Sequence, residues 1–459
     1  MREFLDTQRI EPEKRLVVER VKDFGEIYEF FETKEAASQS DRCIQCGDPF
    51  CLNKCPLHNY IPQWLKAIAE KDLEFAFKLS NEPSPFPEVM GRICPHDRLC
   101  EGDCTLNDGH GAITIGSIET FINEEGFKNG LKPEFPGITS DKKVAVIGSG
   151  PAGLSVATYL LRAGIAVDMY EKADRAGGLL TYGIPGFKLD KKVVERRVKG
   201  LLDAGLNLIL NCEVGKDVTF DELASNHDAI FIGIGATKAK VAGLDNENAK
   251  GVYAAMEYLT GIQSKNFGEN YNKELDFKDQ NVVVIGGGDT AMDCVRTAKR
   301  EGAKSVTCLY RRDAHNMPGS QKEYRNAKEE GVDFTFYASP KQVLTNEKGE
   351  VVGVEMIKTA LGQKDESGRA RMEEMKGSEF KVNADVVVMS LGFDPVVPSY
   401  LAANGIETNS WGGVIVNDNF ETSTSGVFAG GDCYRGADLV VSAAYDGREA
   451  ARAIIKSFQ

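Results

Sequence analysis

The chain has 459 residues, 42% hydrophobic and 27% charged, an ordinary globular composition with length for roughly two to four domains. Acidic side chains outnumber basic ones, 69 to 55, and the net charge of −14 argues against non-specific binding to nucleic acid or to an anionic membrane. No apolar run reaches the roughly 20 residues that span a bilayer, and the opening MREFLDTQRI lacks a signal-peptide core, so a cytoplasmic location is expected.

Seven of the eleven cysteines fall in the first quarter, as Cys43-x2-Cys46-x4-Cys51-x3-Cys55-Pro56 and Cys94-Pro95-x4-Cys100-x3-Cys104. In a reducing cytosol such clusters are ligands more often than disulfides, and an odd count pairs poorly. Short thiolate spacings closed by proline suit iron–sulfur clusters. Zinc is the alternative, although Cys51-x3-Cys55 and Cys100-x3-Cys104 are oddly spaced for its tetrahedral sites. Two [4Fe–4S] clusters take eight ligands against seven thiolates, so one ligand is of another kind. His58, His96, His110, Asp103 and Glu119 all lie near, and spacing does not choose among them. Between the blocks, Ile61 to Leu79 reads as helical, and Asn129 to Gly137 reads as a linker because Pro and Gly punctuate it. Cys212, Cys294, Cys308 and Cys433 read as small buried hydrophobes.

From Lys143 the pattern changes to strand, glycine loop and helix. The strand Lys143 to Ile147 runs into Gly148-Ser149-Gly150-Pro151-Ala152-Gly153, a helix follows to about Ala163, and a second strand, Ile165 to Tyr170, ends at Glu171. Gly148 permits the turn, Gly150 lets a pyrophosphate approach, Gly153 lets helix pack on strand, and Glu171 can accept from a ribose. Near the C-terminus, Gly426 to Ala429 runs into Gly430-Gly431-Asp432. An Asp so placed bonds the ribityl chain in flavoproteins with two dinucleotides, so FAD is expected here. The helix after Leu439 then aims its positive end at the flavin.

A second unit starts at Asn281. Its strand enters Gly286-Gly287-Gly288-Asp289-Thr290-Ala291, and its next strand, Ser305 to Tyr310, ends in Arg311-Arg312 where the first unit has an acid. Guanidinium groups there suit a 2′-phosphate, so NADPH is expected over NADH. Gly178, Leu179, Val214, Gly235, Gly392, Leu439 and Val440 complete the expected cofactor-binding set. Hydride passes between cofactors, so no catalytic acid or base is expected.

Together these residues resemble the small (beta) subunits of bacterial NADPH-dependent glutamate synthases over nearly the whole chain. The resemblance is carried by Asp41 to Cys43, Cys55 to Pro62, Gly91 to Gly102, Gly177 to Pro185, Gly286 to Asp293, Tyr310 to Asp313, Asn316 to Ser320 and Arg435 to Val441. It implies an α/β architecture: a helical iron–sulfur domain, then two Rossmann-like domains, the FAD domain split by an inserted NADPH domain. The expected boundaries are 1–139 (iron–sulfur), 140–262 and 385–459 (FAD) and 263–384 (NADPH). The family assigns one cluster to Cys43, Cys46, Cys51 and Cys104, and the other to Cys55, Cys94, Cys100 and a carboxylate that falls on Glu119. It further implies that electrons from NADPH pass through FAD and the clusters to a large (alpha) subunit, which makes glutamate from glutamine and 2-oxoglutarate. With no Cys at position 2 and no length for an FMN barrel, the glutamine chemistry is expected in that partner. The same module could instead serve another acceptor, as a flavin-based transhydrogenase subunit or a sulfide or polysulfide reductase. A redox-silent scaffold holding zinc is the reading from a different class.

Overall fold

The computed structural model describes residues 3–364 and 370–459. Its first part is helical: α1 (Thr33–Asp41), α2 (Phe50–Lys54), α3 (Ile61–Ala69), α4 (Leu73–Asn81), α5 (Pro87–Ile93) and α6 (Ile115–Lys128). The stretch expected as one helical piece from Ile61 is two helices. Lys71 takes φ +65° between them, and the Asp72 carboxylate caps α4 by accepting the Phe75 N–H at 3.0 Å. Trp64, Leu65, Ile68, Ile118 and Ile122 form the core of this part. Arg42, wholly buried, donates to the carbonyls of Thr7, His110, Gly111 and Ala112. One guanidinium thus fastens the segments flanking the first cysteine to those beyond the last.

The rest is built on two parallel sheets. The chain gives β1 (Lys143–Ile147), α7 (Pro151–Arg162), β2 (Ala166–Tyr170), α8 (Lys191–Asp203), β3 (Asn207–Ile209) and β4 (Ala229–Ile232). Then come β5 (Val252–Ala254), β6 (Asn281–Ile285), α9 (Asp289–Arg300), β7 (Ser305–Tyr310), α10 (Gln321–Glu329) and β8 (Asp333–Phe336). Last are β9 (Ala338–Thr345), β10 (Val351–Lys364), β11 (Ala370–Asn383), β12 (Val386–Met389), β13 (Val427–Ala429) and α11 (Val440–Ser457). The first sheet has the order β13-β4-β1-β2-β3 and the second β5-β12-β6-β7-β8. All pairings within both are parallel. The inner strands β1, β4, β6 and β12 read as nearly continuous apolar runs because helices cover both faces. Strands β9, β10 and β11 form a separate antiparallel sheet that the sequence pattern did not announce.

The first sheet is therefore interrupted by the second, and the crossings differ from the expected 262/263 and 384/385. Both β5 and β12 pair within the second sheet, β12 between β5 and β6. The chain crosses instead near Lys238–Ala239 and Phe393–Asp394, two short strands that pair antiparallel. An apolar run such as Val386 to Met389 demands a central, buried place, but its periodicity does not say in which sheet.

Two packings fix the frame. Helix α11 lies on α7 so closely that a Cβ on Gly447 would stand 2.2 Å from the Ala152 carbonyl oxygen, and Ser155 Oγ donates to Ala444 O at 2.6 Å. The N-terminal segment is stapled to the second sheet's helices: Arg20 Nε donates to Glu330 at 3.1 Å, and Glu330 also accepts from Arg296 and Arg300. Burial pushes the Glu330 carboxyl up, but the hydrogen bonds from Arg300 and Arg296 outweigh it and hold it at about 2.

Candidate functional site

The cysteines converge on two cavities. One is lined by Cys43, Cys46, Cys51 and Cys104, with Phe50, Leu65 and Ile115; the other by Cys55, Cys94, Cys100 and Glu119, with His96, Ile115 and Val441. These are the groupings that the resemblance implies for ligands. Helix geometry delivers them: Cys51 lies within α2, Cys55 ends it, and Cys94 ends α5. Burial pushes the Cys43 thiol up to about 11 and Cys51 to about 12, and raises Cys94 and Cys100 well above the thiol range. Such thiols keep their protons unless a metal displaces them. Among the described residues, no group of three or more His, Cys, Asp or Glu side chains is arranged to hold a metal ion. Four cysteines in one cavity, and three cysteines with a carboxylate in the other, are donor types that a [4Fe–4S] cage takes, so the residues fit that group.

Of the five residues weighed as the eighth donor, the structure brings two to the second cavity. His58 and His110 are exposed, the latter edge-on to Phe4, and Asp103 pairs with Lys54 at the surface. The buried His96 ring lies against Gly116, where a Cβ would meet it at 2.3 Å. Glu119, 6% exposed, accepts from Asn59 Nδ2 at 2.8 Å, and Asn59 Oδ1 in turn accepts from Trp64 Nε1 at 3.3 Å. Burial, then the Glu88 charge, pushes the Glu119 carboxyl up to about 8. Asn59 and Trp64 were missed in the sequence; an Asn–Tyr–Ile–Pro turn starting four residues after the last cysteine of a block was the available signal.

In the first glycine loop the three glycines differ. Gly148 has φ +95°, and a Cβ there would stand 2.5 Å from Gly233 O; one on Gly153 would stand 2.0 Å from Gly148 O. A Cβ on Gly150 would meet nothing within 4 Å, which leaves a bare backbone cradle at the N-terminus of α7, opened by Pro151. Gly178 packs on Gly150 and Gly431 on Ala152, so four expected residues converge. Leu179 starts the short helix Leu179–Tyr182. Val214 belongs to the core holding Ile147 and Cys433, while Gly235 and Gly392, both at positive φ, lie at the two crossings. The Glu171 carboxylate accepts from Ser149 N at 3.0 Å, Ser149 Oγ at 2.5 Å and Ala173 N at 2.8 Å. It is thereby held beside the glycine loop.

Asp432 follows the Gly430–Gly431 turn, and burial pushes its carboxyl up to about 7. The turn is held by Asp446, which accepts the Gly431 N–H at 2.9 Å and Arg435 Nε–H at 2.8 Å. This buried acid on the small-residue face of α11 was also missed. Leu439 is the N-cap of α11, Val440 its first residue, and Val441 lines the second cysteine cavity. The N-terminus of α11 therefore stands next to that cavity.

The second glycine loop repeats the plan. A Cβ on Gly286 would stand 2.2 Å from Ser390 O, whereas one on Gly288 would meet nothing within 4 Å. Asp289, Thr290 and Ala291 open α9. Arg311 and Arg312 follow β7, Arg311 exposed, at the place that Glu171 holds in the first unit.

Comparison with known proteins agrees with this division. Residues 20–131 match the family described as dihydropyrimidine dehydrogenase domain II, 4Fe-4S cluster, and residues 142–447 match pyridine nucleotide-disulphide oxidoreductases. The chain is 48% identical to the glutamate synthase [NADPH] small chain of Escherichia coli K12, covering 99% of this chain and 98% of that one. It is 46% identical to a putative oxidoreductase, AegA, of the same organism, covering 97% of this chain and 69% of that protein. Among solved structures, Mycobacterium tuberculosis FprA in complex with NADPH shares the fold at a TM-score of 0.59 and 20% identity, over 70% of this chain and 85% of that one.

Proposed function

Because the chain belongs to the glutamate synthase [NADPH] small-chain family and is an NADPH-dependent oxidoreductase, we propose that it is the electron-input subunit that feeds a glutamate-forming large subunit. The observation that carries the reading is a series of sites. The N-terminus of α11 abuts the Cys55/Cys94/Cys100/Glu119 cavity through Val441, Ile115 lines both cysteine cavities, and the other, outer cavity (Cys43, Cys46, Cys51, Cys104) is lined by Phe50, which is 53% exposed.

Bound in these places, FAD and iron–sulfur clusters would supply the chemistry that turns a hydride from NADPH into single electrons. The chain's own part is to bind and orient. Backbone N–H groups of the Gly150 and Gly288 cradles receive the two pyrophosphates, aided by the positive ends of α7 and α9. Glu171, fixed by Ser149, marks the adenosine ribose of FAD, whereas Arg311 and Arg312 take the 2′-phosphate of NADPH bidentately. Asp432, set by Asp446, would hold the ribityl chain, and α11 would offer its N-terminus to the flavin. Cys43, Cys46, Cys51 and Cys104 hold one cluster; Cys55, Cys94, Cys100 and Glu119 hold the other, with Asn59 orienting the carboxylate. The exposed Phe50 face then meets the large subunit.

A second reading keeps the module and changes the acceptor, and the AegA likeness favours it: that relative is longer, and this chain covers only 69% of it. Coexpression with a glutamine-amidotransferase large subunit separates the two. The expected result is a stable complex that forms glutamate from glutamine and 2-oxoglutarate at the expense of NADPH. No complex, with rapid NADPH-driven reduction of polysulfide by the chain alone, would instead select the second reading.

A further inference from the structure

The loop between Cys94 and Cys100 reaches across to the second glycine loop. Asp97 accepts from the Ser320 hydroxyl at 3.1 Å and the Gln321 N–H at 2.9 Å, at the N-terminus of α10. Arg98 donates to the Pro318 carbonyl and pairs with the Asp289 carboxylate at 3.2 Å. Asp289 also accepts the Ser320 N–H at 2.9 Å. Between these contacts Gly319 donates to the Gly287 carbonyl at 3.0 Å. A Cβ on Gly319 would stand 3.1 Å from Gly287 O and 3.2 Å from Asp289 N, so the segment lies directly on the glycine loop.

This geometry poses an electrostatic problem. Asp289 puts a carboxylate at the helix end that, on the reading above, receives the NADPH pyrophosphate, and like charges at such range weaken binding. The compensating cation comes from a different domain. We propose that Arg98, a residue of the cysteine-bearing domain, is a positioning residue for the nicotinamide dinucleotide: it neutralises Asp289 and pins Pro318 to Ser320 over the glycine loop. Asp97 supports it by anchoring the start of α10. The proposal rests on the second loop being the NADPH site, and it makes that site a composite of two domains.

Calorimetric titration of the oxidised holoprotein with NADP+ tests it. Arg98→Ala should raise the dissociation constant about tenfold at low salt, with bound iron and FAD unchanged. The ratio to the unaltered protein should shrink at high salt, since charge cancellation is screened. Arg98→Lys should recover most of the affinity, and so should Asp289→Asn added to Arg98→Ala. An unaltered protein that binds no NADP+ overturns the NADPH reading and this proposal together. Binding by the unaltered protein that Arg98→Ala leaves within twofold overturns this proposal alone. A salt-independent loss that Asp289→Asn does not relieve also overturns it, being what a purely structural contact gives. If Arg98→Ala loses iron, Asp289→Asn by itself decides: it leaves Arg98 uncompensated and should tighten NADP+ binding, and weaker binding overturns the proposal.

Discussion

Folding pushes the Asp432 carboxyl up to about 7, first by burial and then by the charges of Asp438 and Asp446. Below about pH 3 both folded and unfolded chains hold this proton, and it has no effect on stability. As pH rises from there to 7 the unfolded chain releases it first, so the folded state loses stability and the cost is complete above 7. Asp432→Asn should therefore raise the thermal midpoint of flavin-free protein at about pH 8 far more than at about pH 4. A gain of the same size at both values would sink this account. The charge at the other strand end has a different signature. Arg311→Glu should raise KM for NADPH by about tenfold or more and barely alter KM for NADH. Equal changes for the two nucleotides would remove Arg311 from the 2′-phosphate.

Helix pairing shows how the same residue type has opposite consequences. Gly447 on α11 faces the Ala152 carbonyl at a distance that admits no Cβ, and α7 cannot retreat because Ser155 ties it to Ala444. Gly447→Ala should cost about 1–3 kcal/mol by overpacking. Gly200, exposed in α8, has open space where a Cβ would go. Gly200→Ala should add about 0.5–1 kcal/mol by helix propensity. Urea unfolding of the two variants checks both signs. The same logic explains the sequence pattern at this scale: glycines that look alike in a motif separate into those that meet neighbouring backbone (Gly153, Gly286, Gly447) and those that leave room for a ligand (Gly150, Gly288).

Across the whole molecule, buried charges tie the N-terminal segment to the helices of the second sheet. Glu330 sits among Arg20, Arg296 and Arg300, tying the N-terminal segment to α9. Glu330→Gln leaves these cations uncompensated and should destabilise the fold by about 3–5 kcal/mol, read as a lower thermal midpoint with earlier proteolysis near Arg20. The Cys43/Cys46/Cys51/Cys104 cavity, in contrast, should be separable from flavin reduction. Cys104 lines the outer cavity, away from α11. Cys104→Ser should remove about half of the bound iron and leave reduction of FAD by NADPH intact. Loss of flavin reduction as well would mean that the two modules are not separable.

Local spacing carried a great deal here. The two glycine loops, the acid after β2, the arginines after β7 and both cysteine blocks are short-range patterns, because turn geometry and thiolate reach are set within a few residues. Fold class was legible for the same reason: strand–loop–helix units announce parallel sheets. Contacts between distant segments were not. Spacing did not group Cys104 with Cys43 or Glu119 with Cys55, and only the family resemblance implied those groupings; His96 at the second cavity and β12 in the second sheet came from the tertiary structure alone. Only it joins Asp446 to Gly431 and Arg98 to Asp289. Buried polar groups take partners wherever the folded chain crosses, and that crossing is decided by packing over hundreds of residues, a length no periodicity records.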